Sequence, residues 1–389
     1  MKNITWRIKQ GTSILSEYKG SPPLATYLKE YFRSNKKFGR RDRSEISQVL
    51  FSYFRLGKLA QHFPIGQAIA LGYYLANDCD ENELTAINTL LESIELKKED
   101  SIDRRLEIVE GLAANLNTSI LPDFPLSLSI KPRDWTVDFL SQPDTFLRVV
   151  KEKSLILDDL EQNSISHLVL EDSSIKVPAN TKLDDLPSAK QGCFYIQDYS
   201  SQRVVDFMNA EPNSYWWDAC AGAGGKSLLF LSRNPGHRLM ASDIRKSSLY
   251  NYRKRLQHHG FDPVSTEVLD LSKSLGQPKE LLDGVILDVP CSGSGTWARS
   301  PEQAHYFKRS QLQQFVNTQR QIFDNAVTWL KPGGVLLYIT CSVFKDENEH
   351  QIEHFCSQKK FTLEGQQMLT GFEHNADHLF VARLTSPND

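Results

Sequence analysis

From about residue 198 onward, short apolar runs alternate with helical stretches, and this alternation limits the fold more than any other feature of the chain. YWWDAC (215–220) passes through a glycine-rich turn into KSLLFLSR, and RLMASD (238–243) runs into RKSSLYNYRKRLQHHG. STEVLD (265–270) and DGVILDV (283–289) follow. The stretch 309–330 carries Leu312, Phe315, Val316, Ile322, Phe323, Ala326 and Leu330 on one helical stripe. It stops at Lys331-Pro332-Gly333-Gly334, a run of helix breakers. VLLYIT (335–340) is the next strand, and the acidic DENE (346–349) suits a helix N-terminus. FTLEGQQM and HLFVARL close the sheet. Five successive β-then-α units predict a doubly wound, mostly parallel α/β sheet. Such sheets bind ligands beyond the carboxyl ends of their strands.

Upstream the periodicity is helical. Leu24, Leu28 and Tyr31, then Ile46, Val49, Leu50, Tyr53 and Phe54, recur at three- and four-residue spacing, and a second helical stretch covers 82–116. The Pro-rich LPDFPLSLSIKPRDW (121–135) marks a boundary. From 145 to 197, FLRVV, HLVL and CFYIQD alternate with polar turns, as in a small α+β module. Three domains are expected: 1–125 helical, 126–197 the α+β module with its linker, and 198–389 the α/β domain.

An apolar content of 40% with 24% charged residues excludes a wholly disordered or fibrous chain. The net charge of −3 hides an asymmetry. Residues 1–60 hold 13 Lys/Arg against 4 Asp/Glu, whereas residues 61–130 hold 4 against 12. A basic end on a nearly neutral chain is the footprint of a polyanion-binding patch. Its densest run, SNKKFGRRDR (34–43), makes Arg33, Lys36, Lys37, Arg40, Arg41 and Arg43 the candidate phosphate contacts. No apolar window is long enough for a transmembrane helix, and MKNITWRIKQ lacks the apolar core of a secretory signal. The six cysteines show no CxxC spacing, and no paired histidines complete a metal site. Reduced thiols in a cytoplasmic protein, with no metal and no membrane partner, are therefore expected.

The first strand of the α/β domain ends in Asp218-Ala-Cys220-Ala221-Gly222-Ala223-Gly224-Gly225-Lys226-Ser227. A P-loop needs glycine where Cys220 stands, and a dinucleotide fingerprint needs its third glycine where Ser227 stands. The looser glycine turn of S-adenosylmethionine enzymes remains. Asp243 ends the second strand, suited to a ribose diol, and Asp270 ends the third. Any one strand-end aspartate is ordinarily a cap or turn residue; acidic residues in register at successive strand ends point to a nucleoside-bearing cofactor. The fourth strand runs into Asp288-Val-Pro290-Cys291-Ser-Gly-Ser-Gly295, and the fifth delivers Thr340-Cys341-Ser342. Amino-group methyltransferases usually place a stacking aromatic residue where Cys291 stands, so a thiol there points to carbon chemistry. Carbon 5 of a pyrimidine becomes nucleophilic when a thiolate adds to carbon 6. The carbon-5 proton must then leave to a base, which a second thiolate can supply. Asp288 can hold or protonate ring nitrogen 3. An ordinary thiol is only about 3% ionised at neutral pH, so the site is expected to lower the pKa, with a helix N-terminus or a nearby lysine as the means.

CAGAGGKS, DVPCSGSGTWARSPE and YITCSVFKDENE resemble the signature motifs of the RsmB-type (Sun/Nop) RNA cytosine-5 methyltransferases, and FYIQDYSSQ (194–202) is similar to the segment preceding their first strand. The resemblance covers about 190–385. It implies a Rossmann-like class I methyltransferase domain with a seven-stranded sheet, S-adenosyl-L-methionine as cofactor, and structured RNA as partner. Ribosomal RNA is the first expectation and tRNA the alternative, acted on by a monomer. By the family pattern Cys341 is the nucleophile and Cys291 assists product release. Cofactor contacts fall on Cys220 through Lys226, Asp243, Asp270 and Asp288. DNA cytosine methylases use the cysteine after proline instead, and the presence of Cys341 favours the RNA type. FGRRDRSEISQVLFSYFR resembles the family's helical N-terminal domain. LRVV (147–150) is similar to its small RNA-binding module, although the usual Arg-Val-Asn is Arg148-Val149-Val150 here. A non-catalytic ribosome-assembly factor that kept the fold is the rival reading, and it would need neither thiol.

Overall fold

The computed structural model describes residues 3–92, 94–116, 118–170 and 174–388. They form two compact units. One comprises the chain up to Phe124 with Lys131–Gln142 and Trp297–Lys308; the other comprises Pro125–Ile130, Pro143–Thr296 and the chain from Arg309 onward.

The first unit is helical, built on Ile4–Glu17, Leu24–Ser34, Arg40–Arg55, Ile65–Ala76, Glu81–Leu91, Ile102–Leu112 and Pro132–Phe139. Ile65–Ala76 is apolar on almost every side and buried from Ala68 to Leu75, as a central helix must be. It passes so close to Arg40–Arg55 that a Cβ on Gly72 would lie 2.1 Å from the Ser52 carbonyl oxygen. The buried Arg55 guanidinium donates to the carbonyls of Phe139 and Ala298, which satisfies it, while burial lowers its pKa to about 10. The helix expected to run from 82 through the lysines at 97–98 stops at Leu91. Asn88 explains this: its side chain both donates to and accepts from the backbone of Leu96 at 2.9 Å, an alternative to continuing the helix.

The second unit opens with an antiparallel sheet of β1 (Thr145–Val149), β2 (Leu168–Val169), β3 (Ser174–Val177) and β4 (Phe194–Ile196), in the order β2-β3-β1-β4. The helix Lys153–Gln162 covers it, with Ile156 and Leu160 packed on Leu147, Ile175 and Phe194.

The larger sheet contains β5 (Tyr215–Asp218), β6 (Arg238–Asp243), β7 (Ser265–Val268), β8 (Leu282–Asp288), β9 (Leu330–Thr340), β10 (Thr362–Leu369) and β11 (Leu379–Thr385). Their order is β10-β11-β9-β8-β5-β6-β7. Pairing is parallel from β9 through β7, and β11 runs antiparallel to both neighbours. This is the doubly wound, mostly parallel sheet of seven strands that the sequence predicts. Trp216, Ile286, Leu337, Ile339 and Val381 supply a core together with Phe230 of the helix Gly225–Arg233.

Two local expectations need correction. The connection from β7 to β8 carries no helix, since Gly276 and Pro278 interrupt it. The long helix Arg309–Ala326 ends earlier than expected, and β9 already starts at Leu330. Lys331–Gly334 therefore form an irregularity inside the strand. Its ladder with β8 shifts between Leu282↔Leu330 and Gly284↔Val335, and Gly333 adopts φ +70°.

Candidate active site

Strand order reverses at β5: the chain continues to β6 and β7 on one side, then to β8 and β9 on the other. In such a sheet a crevice lies outside the carboxyl ends of the strands at that point. It holds a cavity of about 470 Å³ whose wall includes Cys220, Gly222, Asp243, Ile244, Asp270, Leu271, Asp288, Pro290 and Ile322. That volume falls in the usual range for small-molecule sites. Of the residues singled out from the sequence as cofactor contacts, Cys220, Gly222, Asp243, Asp270 and Asp288 line it. Ala221, Ala223, Gly224 and Gly225 shape the turn behind it.

The turn depends on its glycines. Gly222 and Gly224 have φ of +52° and +89°, and a Cβ on Gly224 would meet the Tyr252 ring at 2.7 Å. The Gly222 N–H donates to Asp243 Oδ2 at 2.9 Å, and Asp243 Oδ1 accepts the Arg245 N–H at 2.8 Å. Asp243 thus ties the turn to the end of β6. Asp270 lies two residues beyond β7. Hydrogen bonds from Ser272, followed by the Lys273 ammonium, hold its carboxyl below the usual range.

Lys226 is buried on the first turn of Gly225–Arg233. Its Nζ lies 3.1 Å from Asp288 Oδ2 and donates to Ser201 Oγ at 2.8 Å. Ser201 also accepts from Gln197 Nε2 at 3.1 Å. Asp218, beneath the turn, is fully buried: one oxygen accepts the Ser227 hydroxyl at 2.6 Å and the other has no partner. Burial raises its carboxyl to about 7, against the pull of the Ser227 hydrogen bond. Burial also pushes the Cys220 thiol up.

Past the ends of β8 and β9, Cys291 Sγ and Cys341 Sγ lie 3.3 Å apart, both free thiols and half-buried. The sequence places them 50 residues apart. Register explains the meeting. Asp288 pairs with Ile339, so the PCS loop leaves one strand beside the TCS loop leaving the next. The Gly295 N–H then donates to the Cys341 carbonyl at 2.9 Å and locks the two loops side by side. Cys291 stands well above the ordinary thiol value. The hydrogen bond with Cys341 is the main cause, followed by burial and the Glu347 carboxylate. Lys226, expected among the cofactor contacts, pairs with Asp288.

Sequence reasoning missed Gln197, Ser201, Gln319 and Glu347, and saw Asp218 only as one of the strand-end acids. Ser201 lies in the DYSSQ segment and Glu347 in DENE, so both motifs were visible but neither role was. In the helical unit, Arg33 sits in the last turn of Leu24–Ser34, Lys36 and Lys37 follow it, and Arg40, Arg41 and Arg43 open Arg40–Arg55. Arg33, Lys36, Lys37 and Arg40 are exposed. Arg41 pairs with Glu45 at 2.8 Å, and Arg43 donates to the Phe38 carbonyl at 2.8 Å. Among the described residues no group of three or more His, Cys, Asp or Glu could hold a metal ion, and no helix is long and apolar enough to cross a membrane.

Residues 205–385 match the family described as 16S rRNA methyltransferase RsmB/F. The ribosomal RNA small subunit methyltransferase B of Shewanella oneidensis is 31% identical over 239 residues, 59% of this chain and 55% of that protein. The protein of the same name from Xanthomonas campestris pv. campestris is 32% identical over 223 residues, 56% of this chain and 50% of its own length. The chain therefore spans about half the length of these curated relatives. Among solved structures, PH0851 matches over 99% of both chains with a TM-score of 0.67 and 18% identity. NSun6 from Pyrococcus horikoshii with SFG matches over 66% of this chain and 94% of its own, with a TM-score of 0.59 and 15% identity. These structural likenesses are likenesses of fold.

Proposed function

We propose, with residues 205–385 as a methyltransferase domain of RsmB/F type, that the chain transfers a methyl group from S-adenosylmethionine to carbon 5 of a cytosine in structured RNA, ribosomal RNA first. The pair of thiols 3.3 Å apart, beside a cavity walled by Asp243, Asp270 and Asp288, carries this reading. The cavity suits the cofactor in volume, in its acidic strand ends and in a glycine turn that leaves the wall open at Gly222. Gly222, Asp243, Ile244, Asp270 and Leu271 would hold its nucleoside half, and it would supply the electrophilic methyl group.

The chain's own groups do the rest. The target base leaves its stack, at a cost of a few kcal/mol. Asp288, held by Lys226, passes the proton that Cys341 gives up to ring nitrogen 3, accepts a hydrogen bond from that nitrogen while the adduct lasts, and takes the proton back at release. Cys341 adds to carbon 6 as thiolate, and carbon 5, now nucleophilic, takes the methyl. Cys291 gives its own proton to water and, as thiolate, accepts the carbon-5 proton. The carbon–sulfur bond breaks, the ring double bond returns and Cys341 is released. Arg33, Lys36, Lys37, Arg40, Arg41 and Arg43 contact the RNA backbone.

Bisulfite mapping of 5-methylcytosine in RNA from cells with and without the chain tests the proposal. One discrete site should disappear in its absence. An unchanged map, with cofactor binding intact in vitro, would favour the assembly-factor reading.

A further inference from the structure

We propose that Glu347 is a positioning residue: its carboxylate clasps the Cys291 loop to the Cys341 loop and sets the separation of the two sulfurs. The purpose assigned to that separation rests on the cytosine-5 reading above.

Glu347 is fully buried in the short 3-10 turn Lys345–Glu347. Its Oε1 accepts the Ser292 N–H at 2.9 Å and Gln319 Nε2 at 3.0 Å. Its Oε2 accepts the hydroxyls of Ser292 and Ser342, each at 2.5 Å. Ser292 directly follows Cys291, and Ser342 directly follows Cys341. One carboxylate therefore grips both thiol-bearing loops, one residue from each sulfur. Four donors come close to the full capacity of a carboxylate, which is why the group tolerates burial.

The clasp is itself braced. Gln319, on Arg309–Ala326, also donates to the Pro290 carbonyl at 3.1 Å and accepts from Gln351 Nε2 at 2.9 Å. The Tyr338 hydroxyl donates to the Glu347 carbonyl at 2.8 Å. Burial raises the Glu347 carboxyl while its serine partners pull the other way. The reaction needs one sulfur at carbon 6 and the other at the proton on carbon 5 of the same ring. An error of about 1 Å in such a placement costs on the order of a hundredfold in rate.

The test compares the full chain with Glu347→Ala, Glu347→Gln and the Ser292→Ala/Ser342→Ala double variant. Dibromobimane, which bridges neighbouring thiols, reports the Cys291–Cys341 crosslink by peptide mass without RNA. Steady-state methylation gives kcat and KM, and cofactor binding checks the fold. Glu347→Ala should lose the crosslink and lower kcat by roughly tenfold to a hundredfold, leaving KM for RNA and cofactor affinity nearly unchanged. Glu347→Gln should keep the crosslink and most of kcat. It is the same length, its oxygen still accepts the Ser292 N–H, and the hydroxyls can turn to accept from its amide. A folded Glu347→Ala chain with wild-type crosslinking and kcat, or with a loss confined to KM, overturns the proposal. If Glu347→Ala does not fold, the double serine variant, which retains the acid, decides by the same two readouts. A crosslinking contrast in a wild-type protein that methylates no cytosine upholds the clasp and overturns the cytosine-5 reading instead.

Discussion

Cys291 and Cys341 are the same side chain in neighbouring turns, and the proposed mechanism gives them different tasks. Cys291 abuts the Glu347 carboxylate and its partner sulfur, which favour the protonated thiol before reaction. Cys341→Ala should therefore form no covalent RNA adduct and no product. Cys291→Ala should add to RNA, transfer the methyl and remain bound, visible as a denaturant-stable complex on a gel. A trapped complex with Cys341→Ala and none with Cys291→Ala would reverse the roles. Asp218 makes a second residue-scale prediction. Its carboxyl ionises at about 7 in the folded chain against the ordinary 3.8. Between those values the unfolded state has released the proton and the native state has not, so stability falls as pH rises from about 4 to 7. Asp218→Asn removes that dependence. Its melting temperature relative to wild type should climb through this window, and a flat difference would mean that Asp218 ionises normally.

At the scale of elements, the strands of the large sheet are legible because their apolar runs are short and bounded by Gly, Pro and Asp. FTLEGQQM and HLFVARL, expected to close the sheet, supply β10 and β11 at its end. The boundaries that fail do so for local reasons that periodicity does not register. Asn88 ends a helix by binding Leu96, and β9 absorbs a Pro-Gly-Gly stretch as an irregularity. Gly284 shows what the pattern conceals. On β8 a Cβ there would lie 2.3 Å from the Trp216 indole of the adjacent β5. Gly284→Ala should cost roughly 1–3 kcal/mol, read from the midpoint of urea unfolding. An unchanged midpoint would mean that Trp216 has room to move.

At the scale of the whole molecule, charge and chemistry are assigned to different compact units. The thiols and the cavity belong to the unit containing β1–β11, and the basic run 33–43 belongs to the helical unit. If that run holds RNA by its phosphates, replacing Arg33, Lys36, Lys37 and Arg40 with glutamine should flatten the slope of log affinity against log salt by roughly 3. An unchanged slope would remove these residues from the RNA interface. Arg43, already engaged with the Phe38 carbonyl, should contribute less when replaced alone.

What the amino-acid sequence determined by itself is whatever is encoded over a few residues. This includes the strand–helix alternation, the glycines at Gly222 and Gly224, the acid closing β6, and two cysteines in turns after successive strands. The adjacency of the two cysteine-bearing strands was legible too, but only the tertiary structure decided the register of β8 between β5 and β9 that brings thiols 50 residues apart to 3.3 Å. It alone turned Lys226 toward Asp288 and drew Glu347 from an acidic run on the chain into the floor of the site. The physical reason is that turns and periodicity are governed by local backbone and side-chain preference. Strand order and the burial of a carboxylate are governed by long-range packing and by donors contributed from distant segments.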